Sequence, residues 1–193
     1  MTKKKSCGCG CFGFILIFVA LIIGIYLLLT HDRSIEEYFF PREYEETVEA
    51  ACAEYGVDKW LAMAVIREES GFDIDASSSK SATGLMQIMP ATATWIIEEA
   101  GFTFTVDDIL SDPYCNIQAG CWYLAWLEES HYPDDMVCAV AAYNAGASVV
   151  DQWLADGTWN GELNSLEDIP YGETRQYVEA VFRSYEIYKK LYE

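Results

Sequence analysis

Histidine is nearly absent from this sequence, with two in 193 residues. His31 follows an apolar run and His131 stands alone in a loop. The chain therefore has no histidine cluster for a transition metal and no imidazole paired with a Ser or Cys nucleophile. Zinc hydrolases and Ser or Cys triads find no support, and neither a metal nor a cofactor is expected. Positive charge is scarce as well: 12 Lys and Arg against 31 Asp and Glu give a formal net charge of −19. That balance argues against nucleic acid as a partner. No convincing strand, internal repeat or low-complexity block appears either.

Long apolar runs are also lacking, with one exception. Phe12 to Leu29 is an uncharged stretch of 18 residues, just enough for a helix to cross a bilayer. Lys3, Lys4 and Lys5 precede it, and Asp32, Glu36 and Glu37 follow it. The positive-inside rule then leaves the N-terminus in the cytoplasm and everything beyond residue 33 outside. A cleaved signal peptide would have a shorter apolar core and a small-residue cleavage site, whereas this run ends in Leu27, Leu28 and Leu29. An uncleaved single-pass anchor, a helix over about residues 12–29, is the expectation. Residues 1–33 would form a basic, cysteine-bearing tail plus that anchor, residues 34–41 a short tether ended by Pro41, and residues 42–193 the domain proper. All the acidic residues lie beyond the run. Such acidity keeps an exported domain soluble and repels anionic polymers, so a substrate would be held by hydrogen bonds and stacking.

The seven cysteines fall into two groups. Cys7, Cys9 and Cys11 precede the run, where an unmodified tail is expected, with acylation and metal binding as weaker readings. Cys52, Cys115, Cys121 and Cys138 follow it, where disulfides can form. Their three possible pairings stay open beside four buried thiols, although Cys115 and Cys121 would sit about 240° apart around a shared helix.

Beyond Pro41 the sequence reads as helix after helix. Residues 42–55 carry Val48, Ala51, Cys52 and Tyr55 on one face and stop at Gly56. Asp58 is an N-cap for a second helix whose apolar residues surround the axis, which marks a central, buried element ended by Gly71. Residues 73–89, rich in Ser, read as irregular chain. Pro90 opens a helix to Ala100, Asp112 and Pro113 open one to Glu129, and Pro133 and Asp134 restart the pattern to Gly146. A helix over about 147–155, a loop from Gly157 to Pro170 and a final helix over 173–192 complete an all-α domain. The last helix has Tyr177, Val181, Tyr185 and Tyr188 on one stripe.

What remains for catalysis is carboxylate chemistry. Glu68 and Glu69 end the apolar second helix, where burial and the negative end of the helix dipole both disfavour ionisation. A carboxyl held protonated near neutral pH is what a general acid for glycoside cleavage needs. Spacing alone does not choose between the two.

Four segments carry a resemblance: Glu69-Ser70-Gly71-Phe72, Gly84 through Pro90 (GLMQIMP), Ala142 through Gly146 (AYNAG), and Glu173 through Val178 (ETRQYV). In residues, order and spacing the chain resembles the soluble lytic transglycosylase family over roughly residues 43–190. The resemblance implies a lysozyme-like fold and a substrate, the glycan strands of peptidoglycan. It assigns the sole catalytic acid and base to Glu69 and leaves Glu68 as a neighbour. Glu69 would protonate the oxygen linking N-acetylmuramic acid to N-acetylglucosamine, then take the proton of the C6 hydroxyl as that oxygen closes on C1, giving a 1,6-anhydro sugar. The lack of an obvious second catalytic carboxylate fits, because no water need be activated.

The resemblance further implies substrate contacts from Ser70, Gln87, Met89, Tyr143, Asn144, Glu173 and Tyr177. Gln87 and Asn144 stand between apolar neighbours and need buried partners or a ligand. Glu173 and Tyr177 lie one helical turn apart and can reach one cleft. Arg175 is expected in a structural ion pair. Of the six tryptophans, Trp159 in its polar loop is the expected ligand contact, the others having core spacings. Two rival readings stay open: a muramidase that directs water with Asp73 or Asp75, and an idle wall-binding module of an envelope or secretion assembly.

Overall fold

The computed structural model describes the backbone of residues 9–133 and 135–193, and side chains within that range except those of residues 9–14, 16 and 29–35. The basic tail, including Cys7, lies outside the described residues. The chain divides into two units, Met1–Pro41 and Arg42–Glu193.

In the first unit, α1 (Cys9–Phe39) is continuous over 31 residues. The tether expected at 34–41 is therefore helical as far as Phe39; no Gly or Pro interrupts it until Pro41, which disfavours helix in the residue before it. Ile17, Phe18, Leu21 and Leu28 are exposed along α1. Among the described residues no helix is long and apolar enough to cross a membrane. The expected span of about 12–29 includes Phe12, Gly13, Phe14, Leu16 and Leu29, whose side chains lie outside the description.

In the second unit, α2 (Glu45–Tyr55) begins with Glu45 and Glu46 at the positive end of its dipole and buries Val48, Ala51 and Cys52. The caps and stops anticipated for α3 (Lys59–Ser70) are in place: the Asp58 carboxylate accepts from the Trp60 N–H at 2.8 Å and Gly71 takes the left-handed conformation at φ 60°. Every residue from Trp60 to Ile66 is buried, as an apolar belt around the whole axis requires. Burying side chains such as Leu61, Met63 and Ile66 contributes roughly 1.5–3 kcal/mol each.

Residues 71–89 form irregular chain with isolated bridges from Thr83 to Ser77 and Ile88. Then follow α4 (Pro90–Ala100), α5 (Val106–Ser111) and α6 (Pro113–Ala125), the last capped by Asp112 on the Cys115 N–H at 2.9 Å. Sequence pattern missed α5, a six-residue helix held by a reciprocal Thr105–Asp108 capping box. The helix expected to run to Glu129 instead leaves α6 for a π-helical turn, Trp126–His131. The remainder is α7 (Met136–Ala145), capped by Asp135, α8 (Ala147–Asp156), a 3₁₀ turn (Leu163–Asp168) inside the expected loop, and α9 (Gly172–Tyr192).

Helix α9 lays its stripe of Val178, Val181, Tyr185 and Tyr188 against α3. Trp60 and Tyr188 stack with centroids 6.1 Å apart and planes 9° from parallel, and the Tyr185 hydroxyl donates to Asp58 at 2.8 Å. Asp58 thus caps α3 and tethers α9 together. Cys52, Cys115, Cys121 and Cys138 are buried free thiols; the Cys52 and Cys121 sulfurs lie 4.0 Å apart between α2 and α6.

Candidate active site

The two carboxylates at the end of α3 differ by about 100° in direction, one residue's rotation on a helix, and that rotation separates their fates. Glu68 pairs with Arg67 and accepts from the buried Ser184 hydroxyl of α9 at 2.6 Å. Its charge is used in holding α3 to α9. Glu69 lines a cavity of about 290 Å³.

Burial pushes the Glu69 carboxyl up from 4.5 to about 7; Tyr177 opposes the rise by favouring the carboxylate, while the charges of Glu173 and Glu68 add to it. Glu69 is therefore poised between acid and conjugate base near neutral pH. The Tyr177 hydroxyl is buried just short of good hydrogen-bond geometry, and its hydrogen-bonding influence on Glu69 is what favours the carboxylate. Its own ionisation is pushed well above 10 by burial, which keeps it a neutral donor.

Sharing the cavity with Glu69 is the segment Gly84–Pro90, which has no regular hydrogen-bond ladder and is held by side chains of other helices. The buried Asn116 amide of α6 accepts from the Met86 N–H at 2.8 Å and donates to the carbonyls of Thr83 at 3.1 Å and Ile109 at 2.9 Å. Gly84, at φ 78°, leaves room for it; a Cβ there would stand 2.6 Å from the Asn116 nitrogen. The arrangement turns Gln87 and Met89 into the cavity wall. Gln87 adopts φ 46°, and its amide nitrogen donates to the carbonyls of Ala76 and Gly84, each at 3.0 Å. A residue strained in this way is retained where its surroundings over-determine it. Met89 is 39% exposed and belongs to the cavity, not to the core.

The third wall comes from α7 and α9. Tyr143 lines the cavity and donates to the Met86 carbonyl at 2.9 Å; Asn144, also lining it, accepts from the Thr174 hydroxyl at 2.8 Å. Glu173 stands at the cavity with Lys80 3.7 Å away. Of the expected site residues, Glu69, Gln87, Met89, Tyr143, Asn144 and Glu173 come together around one space, and Tyr177 stands behind Glu69. Ser70 does not line the cavity. Its hydroxyl lies 2.8 Å from the Leu85 carbonyl and accepts from the Phe72 N–H, tying the end of α3 to the opposite wall.

Two expectations need correction, and one rival reading finds its candidates outside the cavity. Trp159 is 1% exposed and its indole N–H donates to the Glu162 carbonyl, so the polar loop folds over it as a small core. Arg175 donates to the Ile169 carbonyl at 2.8 Å instead of forming an ion pair, which pins the chain entering α9. Asp73 and Asp75 are exposed and absent from the cavity, and the Asp73 carboxylate accepts from the Asp75 N–H at 2.9 Å in a local turn. Conversely, Ser78, Ser79, Lys80, Thr92 and Tyr123 line the cavity without having been singled out. The first three lie in the Ser-rich stretch that reads as irregular chain. Among the described residues no group of His, Cys, Asp and Glu could hold a metal ion; His131 pairs with Asp151 at 3.0 Å.

A neutral-range acid at the end of a buried helix shares one cavity with amides, a thioether and phenols, a proton donor beside hydrogen-bonding groups. Comparison with known proteins agrees. Residues 46–165 match the model of the Transglycosylase SLT domain, and the chain belongs to that family. It is 36% identical over 152 residues to a putative soluble lytic murein transglycosylase of Haemophilus influenzae, covering 78% of this chain and 25% of the relative. The 70 kDa soluble lytic transglycosylase of Escherichia coli superposes with a TM-score of 0.75 at 31% identity, over 80% of this chain and 25% of that one. An inactive mutant of the lytic transglycosylase Slt from Pseudomonas aeruginosa gives 0.70 at 36% identity, over 79% and 25%. The all-α, lysozyme-like fold is thus shared, and the chain spans about a quarter of the length of these relatives.

Proposed function

We propose that the chain is a peptidoglycan lytic transglycosylase cutting the β-1,4 bond between N-acetylmuramic acid and N-acetylglucosamine without water. The observation that carries this reading is Glu69, a carboxyl at about 7 in a cavity whose other carboxylate, Glu173, stands exposed at the edge beside Lys80. Glu69 protonates the glycosidic oxygen. As the bond breaks, the substrate's N-acetyl group supports C1, and Glu69, now a carboxylate, takes the C6 hydroxyl proton while O6 closes on C1. Acid and base are one residue acting in sequence, which a carboxyl poised between its two forms supports. Gln87, Asn144 and Tyr143 supply hydrogen-bonding groups for acetamido and hydroxyl groups, Met89 an apolar contact, and Glu173 an acceptor at the cavity edge. Tyr177 keeps Glu69 from rising further, and Ser70 positions the wall.

A membrane anchor through α1 with the N-terminus cytoplasmic is part of the same proposal. It rests on the 18-residue run and the three lysines before it, and protease accessibility of the domain in intact cells tests it. Activity is tested by mass spectrometry of fragments released from purified peptidoglycan by the full chain in detergent. The expected products carry 1,6-anhydromuramyl ends and vanish with Glu69→Gln. Reducing ends would make the protein a muramidase, and no release by folded protein would make it a wall-binding module.

A further inference from the structure

Two helices each send one residue into the cavity, and each continues one turn later with a tryptophan. On α4 the pair is Thr92 and Trp95; on α6 and the π-helical turn it is Tyr123 and Trp126. Residues three apart on a helix are neighbours on one face, so both pairs step away from the cavity in register. The steps converge: Trp95 and Trp126 meet edge to face with centroids 4.9 Å apart. Tyr123 joins them, its ring 5.7 Å from that of Trp95 and nearly parallel to that of Trp126, at 19°. Trp122 abuts Trp95 at 5.7 Å. None of the four is buried and none fully exposed. The rings pack against one another while part of each residue stays open to solvent.

We infer that Trp95 and Trp126, with Tyr123 as the link, form an outlying subsite that stacks a hexopyranose ring of the strand occupying the cavity. The occupant is argued from continuity, since Tyr123 belongs to both places, and from charge. The chain is acidic and repels anionic ligands, whereas the C–H face of a pyranose is apolar and meets the negative face of an indole favourably. The π-helical turn contributes by carrying Trp126 at its start and bringing His131 against it, ring centroids 5.2 Å apart; such turns recur at functional sites. This inference rests on the glycan-cleaving reading of the cavity and extends it outward.

The test measures calorimetric Kd values of the full Glu69→Gln chain in detergent for β-1,4-linked N-acetylglucosamine oligomers of increasing length. Affinity is expected to rise with length. Trp95→Met and Trp126→Met are each expected to weaken the longest oligomer about 3- to 10-fold while leaving the dimer unchanged. Trp95→Phe, which keeps a ring, should retain most of the gain, and circular dichroism of each variant reports folding. A length dependence untouched by folded variants overturns the inference and leaves the glycan reading standing, as does a loss equal at every length. Loss of self-association with glycan affinity intact would assign the surface to a second copy and also overturn it. Binding of no oligomer at all would sink both readings together.

Discussion

Glu69 and Glu128 are both carboxyls pushed from 4.5 to about 7, chiefly by burial and then by neighbouring charges. Their surroundings share little else. Glu128, in the π-helical turn, opens onto a groove of about 340 Å³ where the other ionisable groups are Asp58, Glu129 and Asp135. Among the described residues the groove is lined by no polar side chain other than carboxyls. Around Glu69 stand an amide, a phenol, an asparagine, a thioether and, at 3.7 Å from Glu173, the ammonium of Lys80. A shifted carboxyl thus records only that charge is costly at that place; a site also needs chemically varied groups aimed at one volume. Tyr177 sharpens the contrast, because at Glu69 a neighbour counteracts the rise and at Glu128 every cause points upward.

Exchanging the two acids gives the largest expected effect. Glu69→Gln should lower kcat on peptidoglycan at least 10³-fold and Glu128→Gln less than about twofold, measured as anhydro-end release. Equal losses would erase the distinction. Next comes Tyr177→Phe, expected to reduce kcat about tenfold at neutral pH. Because Tyr177 favours the charged form, removing it raises the Glu69 pKa, so the alkaline limb of the kcat profile should move upward from about 7. A loss of rate with an unmoved limb would assign Tyr177 a packing role.

Stability separates the acids further. A carboxyl whose folded value exceeds its unfolded one binds its proton more tightly in the fold. The folded state therefore loses stability as pH climbs from 4.5 to about 7, and the full cost persists above that. Glu69→Gln should accordingly stabilise the domain at pH 8 by up to about 3 kcal/mol and much less at pH 4, read from denaturant titrations. The smallest expected effect is at the cavity edge. Glu173→Gln should lower the apparent Glu69 value by a few tenths, and Lys80→Ala should move it slightly the other way, both shrinking in high salt because the pair is exposed.

Much of this arrangement is legible in the residue order. The apolar belt of Trp60–Ile66 announces a buried helix, and Asp58, Gly56, Gly71 and Pro90 punctuate it as their local chemistry demands. What the order hides are effects of distant partners. Glu68 and Glu69 differ because Ser184, 116 positions from Glu68, claims the first. Trp159 lies in a polar stretch yet is buried, because a 3₁₀ turn that no periodicity announces closes over it. Tyr123 carries an ordinary helix pattern and becomes part of the cavity only through where α4 and α7 come to rest. The π-helical turn likewise has no local signature; it carries Trp126 and Glu128, the second of them lining the acidic groove.

The wall facing Glu69 owes its shape to a graft. Asn116 grips Met86, Thr83 and Ile109 from the interior, so the backbone carrying Gln87 and Met89 is templated by α6 as well as by its own flanking chain, where Ala76 accepts from Gln87. The stretch from Ser77 to Ser81 is bridged to the same wall through Ser77 and Thr83, but the Lys80 side chain stands out from it, exposed at the rim. A lineage can retune what approaches the cavity rim, for example by exchanging Lys80, while the atoms opposite the acid stay where they are.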